Sequence, residues 1–523
     1  MNKVGTVSFI FTLILILSIS LMAQSVGDYR TRDSGDWSNA QIWQRYNGSS
    51  WVNVATAPTG TETITVLSTD SVFVNVLVTI SDTLINQGIV EPADSLTITV
   101  GDGGVYQYDR DAGTMPKCIW NTGSTIYITG VTSTAPEDRD QNYYNIVFNT
   151  PDMSSNLNMN LNDNTIEGDI RVINTGLARW YLTSVEALDT AIVTIMGDVM
   201  VEDGTFSVQG TSNAQTTFIV HHYGNINVTG GNFSISRGSQ GGGTTTWYLH
   251  EGNFSMSDAA SNNSTSLPGG ARFVFDKPGG TQTLLLSNVT FNSNAIPFEV
   301  SSTTALDAGS SSIEGSGIFI LNEGATLITA HAGGVAGSIQ STGTVTLNDS
   351  ASYTFNGTVA QVTSALMPDT VMNLTIDNAA GVTLSKETVI NGVLRLVSGI
   401  FDNTIPFTKG PNGTISFEGG SLLIPVSIES SELNIPESFF MDQNYPNPFN
   451  PTTTIKFGLP SASYVTAKLF NVLGQEVKTL FEGRLNAGEH ELLFNAENIG
   501  SGVYFYRIQA GDNVSIKQMV LQR

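Results

Sequence analysis

The sequence predicts an all-β protein in which a β-solenoid of the parallel β-helix type is followed by a small immunoglobulin-like β-sandwich. Long segments alternate apolar and polar residues, as in TITVLS and VLRLVS, which is the pattern of short half-buried strands. Residues that favour helices are sparse between frequent Gly, Asn, Asp and Ser turns. Related segments also recur along the chain, at intervals of about twenty to thirty residues.

The recurring segments define the solenoid, which we expect to span residues 60–426 and call the passenger. GDVMVEDGTFSV and GNINVTGGNFSI align with Val199 on Ile226. The same alignment places Phe206 on Phe233. One such unit cannot bury its apolar face alone, whereas stacked copies bury a continuous column. A series of β-sandwich domains is the alternative, because the repeat length is irregular.

Two further alignments extend the pattern along the passenger. HEGNFSMS is expected to bring Phe254 to the same position as Phe206 and Phe233. TIEGDIRVINTG and VINGVLRLVSG align with Gly168 on Gly392 and with Arg171 on Arg395. An arginine that recurs at equivalent positions favours a repeated surface role over a unique catalytic one.

The first residues predict a secretory signal peptide over 1–23. A positive start at Lys3 precedes an apolar run, and the small residue Ala23 favours cleavage between Ala23 and Gln24. The apolar run is short and interrupted by polar residues, which disfavours the alternative of an uncleaved membrane anchor.

Charge and cysteine content exclude several classes of protein. The formal net charge is −24, and residues 24–436 carry it with 38 acidic and 14 basic side chains. Nucleic-acid binding needs clustered Lys and Arg, so we expect no nucleic-acid partner. Cys118 is the only cysteine, which excludes an intrachain disulfide and a cysteine-based metal site.

The N-terminal segment 24–59 is rich in aromatic residues, with Trp37, Trp43 and Trp51. A solenoid needs a cap over its first open turn, and buried aromatic side chains suit that role. Exposed aromatic rings would instead suit sugar stacking, so a glycan site is the alternative. The SG-x-W pattern resembles the openings of secreted bacterial β-helix proteins.

The C-terminal region differs in composition from the passenger. A Ser/Glu-rich linker is predicted at 427–438, and strand-like runs separated by glycine turns fill 439–523, which we call the tail. Pro446, Pro448 and Pro451 prevent a helix at its start. Five to seven strands in about eighty residues are typical of a small β-sandwich.

The tail resembles the type A C-terminal sorting domain of the type IX secretion system, found in Bacteroidota and related bacteria. The resemblance rests on NYPNPFNP followed by TTIKFGLP, then LFNVLGQEV, LNAGEHELLFNA, SGVYFYRI and the terminal SIKQMVL. These motifs occur in the order expected for the family at the end of the chain, and they cover the whole tail.

The resemblance implies export through the periplasm to the outer cell surface or the medium, by way of the type IX outer-membrane translocon and sorting machinery. It also implies cleavage of the tail within 427–438 and attachment of the passenger to an envelope glycolipid. The Pro/Asn segment would act as a stiff, extended spacer that presents the sandwich at a distance. The implied sorting motif consists of Pro446, Asn447, Pro448, Phe449, Asn450, Pro451, Gly502 and Tyr504.

Bacteria of this group can O-glycosylate Asp-Ser or Asp-Thr followed by an apolar residue. The passenger contains six such triplets, although a chain rich in all three components produces some of them by chance. The candidate glycosylation residues are Ser71, Thr83, Ser95, Thr190, Ser350 and Thr370.

The sequence offers no catalytic, cofactor-binding or metal-ligating residue that we assign. The adjacent His221 and His222 should point to opposite faces of a strand, so a shared metal is disfavoured. The acidic segments YDRDAG (108–113) and PEDRDQN (136–142) could hold calcium or line a carbohydrate cleft, but solvated loops are the simpler interpretation.

We therefore expect the passenger to be a non-enzymatic surface protein that serves in adhesion, envelope structure or contact with extracellular glycans. The alternative is a carbohydrate-active β-helix enzyme, a polysaccharide lyase or glycoside hydrolase. One surface groove with clustered carboxylates, arginines and aromatic residues would favour the enzyme. Ladders of Ser, Thr and Asn would favour the structural role.

Overall fold

The protein is nearly all β, and a β-solenoid fills the passenger as predicted. The computed structural model describes residues 24–94, 97–183, 190–209, 217–236, 245–261, 271–291, 296–424, 436–496 and 499–522. The predicted signal peptide, the candidate Ser95 and most of the predicted linker lie outside these ranges. Their assignments stay predictions.

In each turn of the solenoid the chain passes three faces, which we number in the order that the chain meets them. Face 2 forms one continuous parallel sheet from the first turn to the last. Its strands are Tyr29–Thr31, Ile64–Val66, Thr83–Asn86, Val105–Tyr108, Thr125–Ile128, Asn145–Asn149, Ile170–Asn174, Val199–Val201, Ile226–Val228, Phe254–Ser257, Thr281–Ser287, Ala305–Asp307, Thr326–Thr329, Ser352–Phe355, Leu374–Asp377, Val393–Ser398 and Thr414–Phe417.

Faces 1 and 3 are each divided into shorter parallel sheets. Face 1 contains Val78–Ile80, Ile98–Val100, Ile119–Trp120, Asn164–Ile166, Thr190–Ile195, Thr217–His222, Thr245–Leu249, Ala271–Phe275, Phe298–Val300, Phe319–Leu321, Val345–Leu347, Thr370–Val371, Thr388–Ile390 and Phe407–Lys409. Face 3 contains Gly35–Asp36, Ser71–Val74, Ile89–Pro92, Leu157–Asn158, Trp180–Thr183, Thr205–Gln209, Asn232–Ser236, Ala260–Ser261, Thr290–Phe291, Gln361–Val362, Val382–Thr383, Ile400–Asp402 and Ser421–Leu422.

The register confirms most of the predicted repeat. Val199 pairs with Ile226 and Phe206 pairs with Phe233 on successive turns. The position predicted for Phe254 is wrong, because Phe254 pairs with Ile226 on face 2 and not with a phenylalanine on face 3. A phenylalanine fits the core from either face, so its identity alone does not fix the register.

The predicted match between the distant segments around Gly168 and Gly392 is also visible in the backbone. The side-chain oxygen of Asn145 accepts the N–H of Asp169 at 2.8 Å, and that of Asn373 accepts the N–H of Val393 at 2.9 Å. Both segments therefore turn the same corner from face 1 to face 2 in the same way.

This corner continues as a ladder of Asn and Asp side chains, each of which accepts the backbone N–H one turn further on. The donor and acceptor pairs are Asp198 to Asp169 (2.8 Å), Asn225 to Asp198 (2.7 Å), Asn253 to Asn225 (3.0 Å) and Thr283 to Asn253 (2.8 Å). The residues before the ladder positions are Gly168, Gly197, Gly224 and Gly252. A Cβ atom at Gly197, Gly224 or Gly252 would overlap the backbone of the previous turn, and one at Gly168 would overlap the side chains of that turn.

Aromatic side chains fill the middle of the solenoid. Trp247 is fully buried and contacts the rings of Phe206, Phe233 and Phe273 at centroid distances of 5.5–6.4 Å. Edge-to-face and tilted pairs of this kind add to the free energy gained by burying apolar area. The passenger core is thus continuous from turn to turn.

Antiparallel strands cover the first turn. Trp43–Tyr46 pairs with Tyr29–Thr31 on one side and with Trp51–Asn53 on the other. A 3₁₀ helix, Ala40–Ile42, precedes this hairpin, and a short α-helix, Gly334–Ser338, lies in a later turn.

The tail has its own hydrophobic core, and its described residues form seven strands, within the predicted range. One sheet contains Phe440–Met441, Thr452–Leu459 and Gly488–Asn495. The other contains Ser463–Asn471, Glu476–Leu485, Gly502–Ala510 and Asn513–Leu521, all antiparallel. The exact domain boundaries stay predictions.

Candidate functional site

The Pro/Asn segment at the start of the tail lies along the last strand of the chain. The side-chain oxygen of Asn447 accepts the N–H of Val520 at 2.8 Å. The N–H of Phe449 donates to the carbonyl of Val520 at 2.9 Å, and the carbonyl of Phe449 accepts the N–H of Gln522 at 3.0 Å. The start and the end of the tail therefore hold each other in place.

A buried polar cluster supports this segment from below. The N–H of Asn444 donates to the hydroxyl of Tyr506 at 2.9 Å, and that hydroxyl donates to the carbonyl of Asp442 at 2.9 Å. The side chain of Asn444 donates to the hydroxyl of Thr453 at 2.9 Å. Asn444, Thr453 and Tyr506 lie within the motifs that carry the resemblance, but they are not among the residues of the implied sorting motif. The inward alternation of Tyr506 in VYFYRI marks it as a core residue.

The residues of the implied sorting motif have different environments. Phe449 is buried against Phe494, with ring centroids 5.9 Å apart. Tyr504 is half-buried, and its hydroxyl donates to the carbonyl of Gly500 at 2.7 Å, next to the start of the strand at Gly502. The exposed members are Pro446, Pro448 and Asn450, and the half-buried ones are Asn447, Pro451 and Gly502. Their part in sorting stays a prediction.

The structure differs from the extended spacer that the sequence suggested. Proline fixes the backbone angle φ and excludes a helix, but it does not prevent packing. Because Asn447 and Phe449 bond to the last strand, the segment is an edge of the folded tail. It does not hold the sandwich at a distance.

A groove of about 600 Å³ lies on face 3 of the passenger, near its N-terminal end. Phe73 and Ile89 form one wall on adjacent strands and are 43% and 41% exposed. Glu91 pairs with Phe73 in the sheet and lies beside it. The other wall comes from the loop 113–117 and from Asp138.

Most charged groups of this groove have partners. Lys117 lies 3.7 Å from the carboxylate of Asp138. The guanidinium of Arg110 donates to the carbonyl of Gly88, and the hydroxyl of Thr97 donates to Asp94 at 3.0 Å. The groove therefore presents an apolar wall with charged side chains around it. Of its carboxylates, those of Asp94 and Asp138 already have partners in the protein.

The two predicted acidic segments lie on neighbouring turns, where their carboxylates organise loops. One oxygen of Asp111 accepts the N–H groups of Thr132, Ser133 and Thr134, each at 2.9 Å. Partial burial acts to raise the pKa of Asp111, but these backbone bonds hold it well below its usual range. Asp109 accepts the side chain of Gln87 at 2.9 Å.

The recurring arginines make equivalent ion pairs on face 2. Arg171 meets Glu202 at 2.5 Å, and Arg395 meets Glu418 at 2.9 Å, each one turn further on. These pairs are partly exposed, so each contributes little to stability. Their geometry agrees with the repeated surface role that the alignment predicted.

The histidines on face 1 point to opposite sides, as predicted. His221 faces outward, and its Nδ1 lies 3.0 Å from Nε2 of His250. The Nδ1 atom of His250 in turn lies 3.1 Å from a carboxylate oxygen of Asp276. His222 is buried, and its Nε2 donates to the carbonyl of Gly197 at 2.8 Å. Among the described residues, no group of three or more His, Cys, Asp and Glu side chains is placed to hold a metal ion.

Burial lowers the pKa of His222 to about 4, and we expect this shift to make the folded protein less stable in acid. An unfolded histidine has a pKa of about 6.5, so between these values the unfolded chain binds a proton that the folded protein excludes. We expect the free energy of unfolding to fall as the pH decreases through this window, with a contribution from His222 of about 2 kcal/mol at pH near 4.5. Urea denaturation at pH 7 and at about 4.5 measures it.

The variant His222→Gln isolates this effect from the titration of carboxylates. Glutamine keeps an N–H donor for Gly197 but cannot be protonated in this range. The variant should therefore lose less stability than the wild type between the two pH values. Equal losses in both proteins would show that His222 does not titrate as expected.

The candidate glycosylation residues differ in exposure. Thr83 is buried, and its hydroxyl donates to Asp82 at 3.2 Å, so a glycan there would displace that bond. Thr190 is exposed at the start of its strand, whereas Ser71, Ser350 and Thr370 are half-buried. Modification at these residues stays a prediction, and Thr190 is the most open of them.

Comparison with known proteins identifies the tail. Residues 443–522 match the family model described as the secretion system C-terminal sorting domain. No curated protein and no solved structure matches the chain. None of the helices within the described ranges is long and apolar enough to cross a membrane. The tail is the sorting domain of the type IX secretion system that its motifs indicated, and it marks the protein for export through the periplasm to the cell surface or the extracellular space.

Proposed function

We propose that the passenger is a non-enzymatic surface protein that contacts extracellular glycans through its face 3 groove and so serves in adhesion or envelope structure. The observation that carries this proposal is the groove itself, an apolar wall with a charged rim on an exported β-solenoid. Binding sites for small or extended ligands are concave and largely apolar, with a few polar groups that fix orientation.

The polar ladders support a non-enzymatic role. Asn and Asp side chains at the corner between faces 1 and 2 are engaged by the next turn, and Asp111 is engaged by backbone N–H groups. A glycoside hydrolase needs two carboxyl groups free to face one substrate. In the groove, Asp138 has Lys117 as a neighbour and Asp94 accepts from Thr97.

Phe73 is the side chain best placed to hold a sugar. Phe73 is 43% exposed on a strand of face 3, and an aromatic ring packs well against the apolar face of a sugar ring. Glu91 and Lys117 lie at the same groove and could bond to hydroxyl groups. The type IX machinery is the partner that the tail implies, and an envelope glycolipid is a second partner that we propose.

The test uses the purified full-length chain with a panel of neutral and acidic polysaccharides. Binding is measured by co-sedimentation, and cleavage by new reducing ends and by the ultraviolet absorbance of unsaturated products. We expect binding without cleavage, and Phe73→Ala should weaken it about tenfold.

Leu285→Ala is the matched control, because Leu285 is an exposed apolar residue on face 2, away from the groove. It should bind like the wild type. Cleavage that is lost in Glu91→Gln would overturn the proposal in favour of a carbohydrate-active enzyme. Equal polysaccharide binding by Phe73→Ala and Leu285→Ala would show that the groove is not the binding site.

A further inference from the structure

A parallel solenoid has two open ends, and each end strand exposes unpaired N–H and C=O groups next to the apolar core. Natural solenoids close these ends with capping segments. At the N-terminal end, Trp43–Tyr46 pairs with Tyr29–Thr31 and fills this need. The last strand of face 2 at the other end, Thr414–Phe417, needs an equivalent cover.

The tail covers that end. Its strand Gly488–Asn495 pairs in parallel with Thr414–Phe417, with Ser416 opposite Leu493. On its other side the same tail strand pairs with Thr452–Leu459 along its whole length. At this residue pair the face 2 sheet of the passenger therefore continues into a sheet of the tail.

Aromatic packing joins the two cores at the same place. Phe417 packs against both the passenger core and the tail core. Its ring lies 5.9 Å from that of Phe481 in an edge-to-face arrangement. Phe481 is itself buried, so this contact removes apolar area of both parts from water.

A small cavity of about 130 Å³ lies between the two parts. Ile415 and Leu422 line it from the passenger, and Phe457 and His490 line it from the tail. The ring of His490 stacks on Phe457 at 5.4 Å, and its Nε2 donates to the carbonyl of Asn486 at 3.0 Å. The lining is thus mostly apolar, as in a packed interface.

We propose that the sorting domain has a second function, as the C-terminal cap of the passenger solenoid. While it is docked, the tail shields the backbone edge of Thr414–Phe417, and the passenger shields the edge of Gly488–Asn495. The two parts therefore stabilise each other. By thermodynamic linkage, the free energy by which the tail stabilises the passenger equals that by which the passenger stabilises the tail. The tail can dock in this way only after the last turn of the solenoid has folded.

Hydrogen exchange of the full-length chain tests this coupling from the tail. Leu493→Glu places a charge at the contact on a half-buried residue of the tail. It should speed the exchange of the amides in Thr414–Phe417 at least tenfold, and leave those in Val199–Val201 unchanged. The matched control is Ile516→Glu, because Ile516 is an exposed apolar residue on the other tail sheet.

If Leu493→Glu unfolds the tail, the amides of Ser463–Asn471 will also exchange faster. The reciprocal variant Phe417→Glu, on the passenger side, then tests the proposal. It should speed exchange in Gly488–Asn495 while Ser463–Asn471 stays protected. If neither variant changes the exchange of the opposite part relative to Ile516→Glu, the tail is not a cap and the proposal fails. The assignment of the tail as a sorting domain does not depend on this result.

Discussion

Gly224→Ala is expected to destabilise the passenger by roughly 3 kcal/mol, a large effect for the addition of one methyl group. Gly224 lies in the corner where Gly168, Gly197, Gly224 and Gly252 stack on successive turns. A Cβ atom at Gly224 would overlap the carbonyl oxygen of Gly197, which belongs to the backbone and cannot rotate away. Two turns would have to separate, and the N–H of Asn225 would lose its bond to Asp198.

Urea denaturation followed by tryptophan fluorescence measures this effect. The buried Trp247 reports on this corner, because the centroid of its ring lies 5.6 Å from that of His222, and His222 precedes Gly224 by two residues. Gly324→Ala is the matched control. Gly324 has a φ of +70°, and the nearest atoms to its added Cβ would be 3.8 Å away. It should cost only the backbone strain of about 1 kcal/mol. Equal losses for both variants would mean that stacking does not restrict this corner.

The glycine corner also explains which parts of the repeat the sequence could predict. The Gly-Asp and Gly-Asn pairs before Val199 and Ile226 are fixed by close backbone contact and by the side-chain ladder, so the alignment through them was correct. Gly252 and Asn253 continue the same corner. Aligning Phe254 by its ring instead of by this pair led to the wrong register.

The groove and the contact between the tail and the last turn could not be predicted from the sequence, because both depend on residues that are distant along the chain. Phe73, Lys117 and Asp138 lie on different turns, and the path of the loops between them decides whether they meet. Phe417 and Phe481 meet only because the tail packs on the last turn. The tail was recognisable because its own motifs are local and ordered.

Trp43→Ala is expected to uncover the first turn of the solenoid and to destabilise the passenger by about 3–5 kcal/mol. Trp43 is fully buried, and its ring lies 5.1 Å from that of Trp37 in an edge-to-face pair. Its Nε1 donates to the carbonyl of Trp37 at 2.9 Å, while Nε1 of Trp37 donates to the carbonyl of Pro58 at 3.1 Å. The variant would leave a large cavity, and the carbonyl of Trp37 would lose its donor, next to the hairpin that pairs with Tyr29–Thr31.

Trp51→Ala is the control within the same hairpin, because Trp51 is half-buried and packs under the guanidinium of Arg30 at 4.5 Å. Losing this contact should cost about 1 kcal/mol or less. Hydrogen exchange should show that Trp43→Ala opens Tyr29–Thr31 and Ile64–Val66, and that Trp51→Ala does not. This difference separates the two roles considered for the aromatic segment. If Trp43→Ala is as stable as the wild type while Trp51→Ala loses polysaccharide binding, the segment is a glycan platform, and the first turn must be closed by other contacts.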